Sequence, residues 1–353
     1  MNKIIHYIIA ILLASSLPTV AYSKTYQWKL AESWPKDFPF YGEAVKSFIE
    51  ITNKLSNGKL VIKSESSDVH KNPLGVFDMV KSGGYQMAHS SPTYWGDIDV
   101  NTLFFATVPF GMIATEQYAW FYHGGGYELM EKVYKKHGML SFPGGNTGNQ
   151  MGGWFRKEIQ SVDDLKGLKL RIPGFGGKVM KSLGVDTVNL PPGELYQALE
   201  SGNIDAVEWV GPSFDLGMGF YKVAPYYYTG WHEPASEQHF LVNQKAFDAL
   251  PKDLQFVVTT ALRLVAYDTY INIMDASSNN LKKMIADYPG IKIRAFPPEV
   301  IQALSKEYQK QIDTLVQGNP LTEEIIESLN QYKSKARLWT RISDQAFLNN
   351  AGL

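Results

Sequence analysis

Arg171, Glu208, Glu233 and Gln150 are the side chains whose chemistry suits a small anion or a hard cation. A guanidinium presents a planar fork of donors that matches two carboxylate oxygens. Arg171 closes the alternating run Leu168-Lys-Leu-Arg-Ile172 ahead of Pro173-Gly174. That places it at the carboxyl end of a strand, where α/β sheets keep their ligands. The alternative is a solvated strand residue sharing a face with Lys169. Glu208 stands between Val207 and Trp209 in an apolar run, so its carboxylate needs a cation, an arginine or hydrogen bonds. A structural partner meets that need as well as a ligand does. Glu233, in Trp231-His-Glu-Pro234, and Gln150, in a glycine-rich stretch, read locally as ordinary residues.

Other chemistries find less support. His89, His232 and His239 form neither H-x-x-x-H nor H-E-x-x-H, and the absence of cysteine removes thiol catalysis and thiolate metal sites. No G-x-S-x-G elbow occurs. The glycines of Pro143–Gly153 predict loops, and without a Lys-Ser/Thr ending they are not a phosphate-binding P-loop. Glu208 and Glu233 together leave a glycoside hydrolase as the competing enzyme reading.

The elements that must position these residues follow from periodicity. Gly193–Gly211 reads as a helix, a Ser201-Gly202 stop and a strand from Ile204 to Val210, with Glu208 and Trp209 at its end. Phe77–Ser90 repeats the arrangement: Phe77 matches Tyr196, Ser82-Gly83 matches Ser201-Gly202, and His89-Ser90 matches Glu208-Trp209. Two such units predict two similar lobes with strand ends facing one cleft. Asp253–Tyr288 holds no Pro or Gly over 36 residues. It reads as one helix of about 54 Å bridging both lobes, or as a helix with one or two breaks. Pro298–Leu353 reads as polar-faced helices.

The 353 residues suffice for two cores, and a net charge of -1 offers nothing to nucleic acid. Lys3, the apolar run Ile4–Ala14 and Ala21-Tyr-Ser23 predict a cleaved export signal over 1–23, the run being shorter than the ~20 residues of a span. The expected product is soluble and periplasmic.

Leu168-Lys-Leu-Arg-Ile-Pro-Gly174, Gly219-Phe-Tyr-Lys-Val-Ala224 and Leu241-Val-Asn-Gln-Lys-Ala-Phe247 resemble the DctP-type solute receptors of TRAP transporters. Glu208-Trp-Val-Gly-Pro212 with Tyr226-Tyr-Tyr228 and Trp231-His-Glu-Pro234 is similar to their α-keto acid and lactate-binding (TakP-like) branch. The resemblance implies an α/β, two-lobe periplasmic-binding-protein-like fold with a long lobe-spanning helix and C-terminal helices. Lobe 1 would take 24–142 with a return segment 234–252, lobe 2 would take 143–233, and 253–353 the spanning and C-terminal helices. It further implies that Arg171 pairs with a substrate carboxylate and that Gln150 contacts substrate and cation. Glu208, the Trp209 backbone and Glu233 would hold sodium or calcium, and Tyr94 would reach in from lobe 1. A 2-oxo or 2-hydroxy acid can chelate such an ion through two oxygens. The expected protein performs no reaction. It hands a small organic acid to TRAP membrane subunits, and a homodimer through the C-terminal helices is left open.

Overall fold

The computed structural model describes residues 24–351, and the expected export signal lies outside them. Strand β1 (Tyr26–Glu32) leads to helix α1 (Tyr41–Leu55), which buries Tyr41, Ala44, Val45, Phe48 and Thr52 on one side, the spacing of an amphipathic helix. Then come β2 (Leu60–Glu65), α2 (Val76–Lys81), β3 (Met87–Ser90), α3 (Ala114–His123), α4 (Gly126–Lys135) and β4 (Met139–Asn146). The first sheet has the order β2-β1-β3-β10-β4, with β10 (Glu237–Asn243) antiparallel to both neighbours.

The second sheet has the order β11-β9-β5-β8-β6-β7. Its strands are β5 (Gly153–Phe155), β6 (Lys169–Arg171), β7 (Asp186–Val188), β8 (Ala206–Val207), β9 (Tyr226–Tyr228) and β11 (Lys292–Arg294). Helices α5 (Gly174–Ser182), α6 (Leu195–Ser201) and α7 (Pro212–Met218) connect them. The repeat seen in the sequence is present in the backbone. Gly83 and Gly202 both end a helix at positive φ, 82° and 78°, and each is followed by a strand pairing in parallel with an earlier one. The match does not extend to every side chain, since Phe77 is fully buried and Tyr196 only partly so.

After a short helix α8 (Gln244–Asp248), the long helix α9 runs unbroken from Lys252 to Asp287. Leu254, Val258, Leu262 and Val265 pack in the core under the first sheet, while Ile273 and Met284 join the core of the second. One helix therefore braces both lobes. Helices α10 (Pro298–Val316) and α11 (Pro320–Thr340) complete the chain, followed by Arg341–Gln345 and Ala346–Asn350.

Three expectations require correction. The glycine-rich stretch is not all loop: β4 continues through Pro143-Gly-Gly-Asn146, paired to β10 with an irregularity at Gln238/His239. The Gly144 and Gly145 amides point instead at the buried Glu237 carboxylate, donating over 3.0 and 2.8 Å. The strand expected from Ile204 to Val210 spans only Ala206–Val207, because the Glu208 carbonyl accepts from Arg171 Nη1 at 2.8 Å rather than from a neighbouring strand. The C-terminal helices are not polar-faced to their end, since Leu338, Trp339, Ile342, Phe347 and Leu348 are all more than half exposed.

Candidate functional site

Arg171, Glu208, Trp209, Gln150, Glu233 and Tyr94 all line one cavity between the two sheets. Arg171 is 1% exposed, which rules out the solvated reading. Its Nε donates to the Leu190 carbonyl at 3.2 Å and its Nη1 to the Glu208 carbonyl. These bonds fix the guanidinium and leave Nη2 buried without a partner. The Trp209 ring lies under it, 5.1 Å from the guanidinium carbon, a cation–π distance.

Gln150 and Glu233 sit on the two segments, 147–152 and 229–236, that carry the chain between the sheets. The segments are laced together by Gln150 N–H donating to the Glu233 carbonyl at 2.9 Å and Thr147 N–H to that of Ser236 at 3.0 Å. That pairing buries both side chains, to 4% and 5% exposure, and corrects their local reading as ordinary surface residues. Gly230 is packed so closely there that a Cβ would stand 1.8 Å from the Gln150 carbonyl oxygen.

The Glu208–Gly211 segment is held by a second buried acid. Asp215, in the first turn of α7, accepts from Trp154 Nε1 at 2.9 Å, Tyr227 OH at 2.7 Å and the Gly211 amide at 3.2 Å. From the first lobe, the loop after β1 contributes a chain of rings. Trp34 lies 4.6 Å from Tyr41, which in turn lies 4.9 Å from Phe214. Phe38 meets Trp209 edge-on at 6.3 Å, and Phe40 meets Phe214 at 4.9 Å. Asp37 and Phe40 hold positive φ values of 57° and 60°, so this loop spends backbone strain to set its rings against the second lobe.

Burial pushes the Glu208 carboxyl up to about 8, against the pull of Arg171. Burial and the Glu208 charge raise Glu233 to about 7. Ionising both in one cleft therefore calls for positive charge beside them. The donor set agrees. Among the described residues no three His, Cys, Asp or Glu cluster as metal ligands. Oxygens are plentiful, however: Gln150 Oε1, Glu208 Oε1 and Gln238 Oε1 are buried with no partner. Amide and carboxylate oxygens are what sodium or calcium prefers. Gln238, Trp34 and Tyr41 also line the cavity and were not singled out in the sequence. Trp34 lies at a strand end and was legible in principle, whereas nothing local announces Gln238 beside a strand irregularity.

Fold and site together define a two-lobed receptor for a small anionic solute. The chain belongs to the bacterial extracellular solute-binding proteins, family 7 (DctP), whose model matches residues 30–319. It is 37% identical over 327 residues to a monocarboxylate 2-oxoacid-binding periplasmic protein of Nostoc sp., covering 92% of this chain and 89% of that protein. A TRAP periplasmic solute-binding protein from Colwellia psychrerythraea, solved with calcium and pyruvate, shares 56% identity at a TM-score of 0.92, covering 93% of this chain and 100% of that one. A counterpart from Pseudoalteromonas atlantica, solved with sodium and pyruvate, shares 53% at 0.91, covering 92% and 99%. Among the described residues no helix is long and apolar enough to cross a membrane.

Proposed function

We propose that this protein is a periplasmic receptor for a small 2-oxo or 2-hydroxy monocarboxylate of the pyruvate or lactate type, delivering it to the membrane subunits of a TRAP transporter. The observation that carries the reading is a set of orphaned buried polar atoms lining one cavity: Arg171 Nη2, Gln150 Oε1 and Gln238 Oε1. Arg171 receives the carboxylate. Glu208, Glu233, Gln150 and the Trp209 carbonyl hold a sodium or calcium ion, which supplies positive charge to the acid's oxygens when bound. Tyr94 closes the site from the first lobe. The lobes are taken as 24–142 with 234–252 and as 143–233, with 147–152 and 229–236 as the hinge. The cavity is narrow, about 30 Å³. That favours a short acid over a glycoside, and with it a receptor over a hydrolase.

Calorimetry with pyruvate and lactate tests this, before and after chelation and with calcium or sodium restored. Metal-dependent binding of either acid is expected; a protein that binds neither acid under any condition overturns the reading. Gly230→Ala should weaken acid binding roughly 10- to 100-fold, the scale for disturbing the support behind a metal ligand, because its methyl displaces the Gln150 backbone. Wild-type affinity in that variant would remove Gln150 from the site.

A homodimer through the C-terminal helices is part of the proposal. The apolar tail Leu338, Trp339, Ile342, Phe347 and Leu348 supports it, as does a second exposed stripe on α9, Leu264, Tyr267, Ile271 and Met274, at coiled-coil spacing. Light scattering on the purified protein should give twice the chain mass, and Trp339→Glu with Ile342→Glu should give the monomer. A wild-type monomer at micromolar concentration overturns it.

A further inference from the structure

His232 has no role in the site as described so far, yet it is fully buried and neither ring nitrogen has a hydrogen-bond partner. Leaving such groups unpaired in the interior is costly, and native structures rarely do so without a reason. Its Nε2 lies 3.5 Å from Glu208 Oε1, which is itself buried and unpartnered. Two orphaned atoms of complementary type therefore face each other. The ring is also held in place. Trp231 flanks it at 5.1 Å, and on α5 the absence of a side chain at Gly176 admits its edge, since a Cβ there would come within 2.9 Å of Cδ2.

We propose that His232 is a positioning residue for Glu208: as the Nε2–H tautomer it donates to Oε1 and fixes the carboxylate, leaving Oε2, 3.7 Å from Arg171 Nη1, for the cavity. Groups behind a metal ligand orient it in this way and tune its affinity. The inference rests on Glu208 being a cation ligand, as read above.

The direct test is long-range ¹H–¹⁵N correlation on the full mature chain labelled at histidine, with the His232 signals assigned by their loss in variants. A neutral Nε2–H ring whose nitrogens shift on adding calcium and pyruvate is expected; an Nδ1–H ring, or one that ignores both, overturns the proposal. A second arm compares His232→Phe, which keeps the ring shape without a donor, with His232→Gln, which restores an amide N–H near Nε2. Phe should weaken calcium-dependent pyruvate binding roughly 10- to 100-fold, and Gln should recover most of it, with melting temperatures close to wild type. Wild-type affinity in Phe, or a Gln variant as weak as Phe, overturns it. If the wild type binds neither calcium nor acid, the functional reading fails, and the tautomer measured in the ligand-free protein at about pH 9, with the Glu208 carboxyl ionised, still decides whether His232 donates to it.

Discussion

Arg171→Ala should abolish measurable acid binding while the folded chain persists. Truncating one partner of a buried charge pair across a binding interface costs about 2–5 kcal/mol, which is between roughly 30-fold and 4,000-fold in affinity. The loss is more than a missing charge. Arg171 also anchors the Leu190 and Glu208 carbonyls and stacks on Trp209, so alanine releases the segment that carries Glu208 and Trp209. Arg171→Lys keeps the charge without the fork and should fall between the two. Calorimetry reads affinity, and circular dichroism confirms the fold; unchanged affinity in a folded Arg171→Ala would remove the arginine from recognition.

The second large effect concerns pH and metal together. Glu208 and Glu233 have folded pKa values raised from 4.5 to about 8 and about 7 by burial. A carboxyl raised in this way binds its proton more tightly folded than unfolded. Its stabilising contribution is complete below about 4.5 and is lost as pH rises through 7 to 8. Asp215, Glu237 and Glu32, each raised to about 7 by burial, act in the same direction, so the metal-free protein should melt several degrees lower at pH 8 than at pH 5.5, and saturating calcium should remove the share of that difference due to Glu208 and Glu233. A metal-free melting temperature that climbs across this range would contradict the assignment. Charge balance separates the ions. The two carboxylates and a monocarboxylate carry three negative charges, which Arg171 and calcium match, whereas sodium leaves one unmatched. Calcium-supported binding should accordingly release more protons than sodium-supported binding, measurable by calorimetry in buffers of different ionisation enthalpy.

What the sequence revealed depended on how local each cause was. Arg171 was legible because strict alternation and a Pro-Gly stop place it at a strand end, and the length of α9 was legible because nothing between Asp253 and Tyr288 breaks a helix. Glu208 was legible as a costly carboxylate in apolar surroundings, although its strand proved shorter than its β-branched neighbours suggested. Gln150 and Glu233 had no local signature and entered by resemblance alone. Their burial is created by two crossing segments some eighty residues apart in the chain, and no window of sequence contains that pairing. Gln238 and Gly230 were missed for the same reason: one lies beside a strand irregularity, the other matters only through the carbonyl it touches.

The rings that run from Trp34 and Tyr41 to Phe214, and from Phe38 to Trp209, join the lobes without using any atom of a solute. Aromatic contacts of this kind are worth about 0.5–1.5 kcal/mol per pair beyond the area they bury. Part of the adhesion between the halves thus belongs to the protein itself and survives when the site empties. Such contacts favour the shut arrangement, so parting the halves meets the same resistance whether the site is full or empty. Unloading then becomes a mechanical task, in which the rings must part before a solute can move.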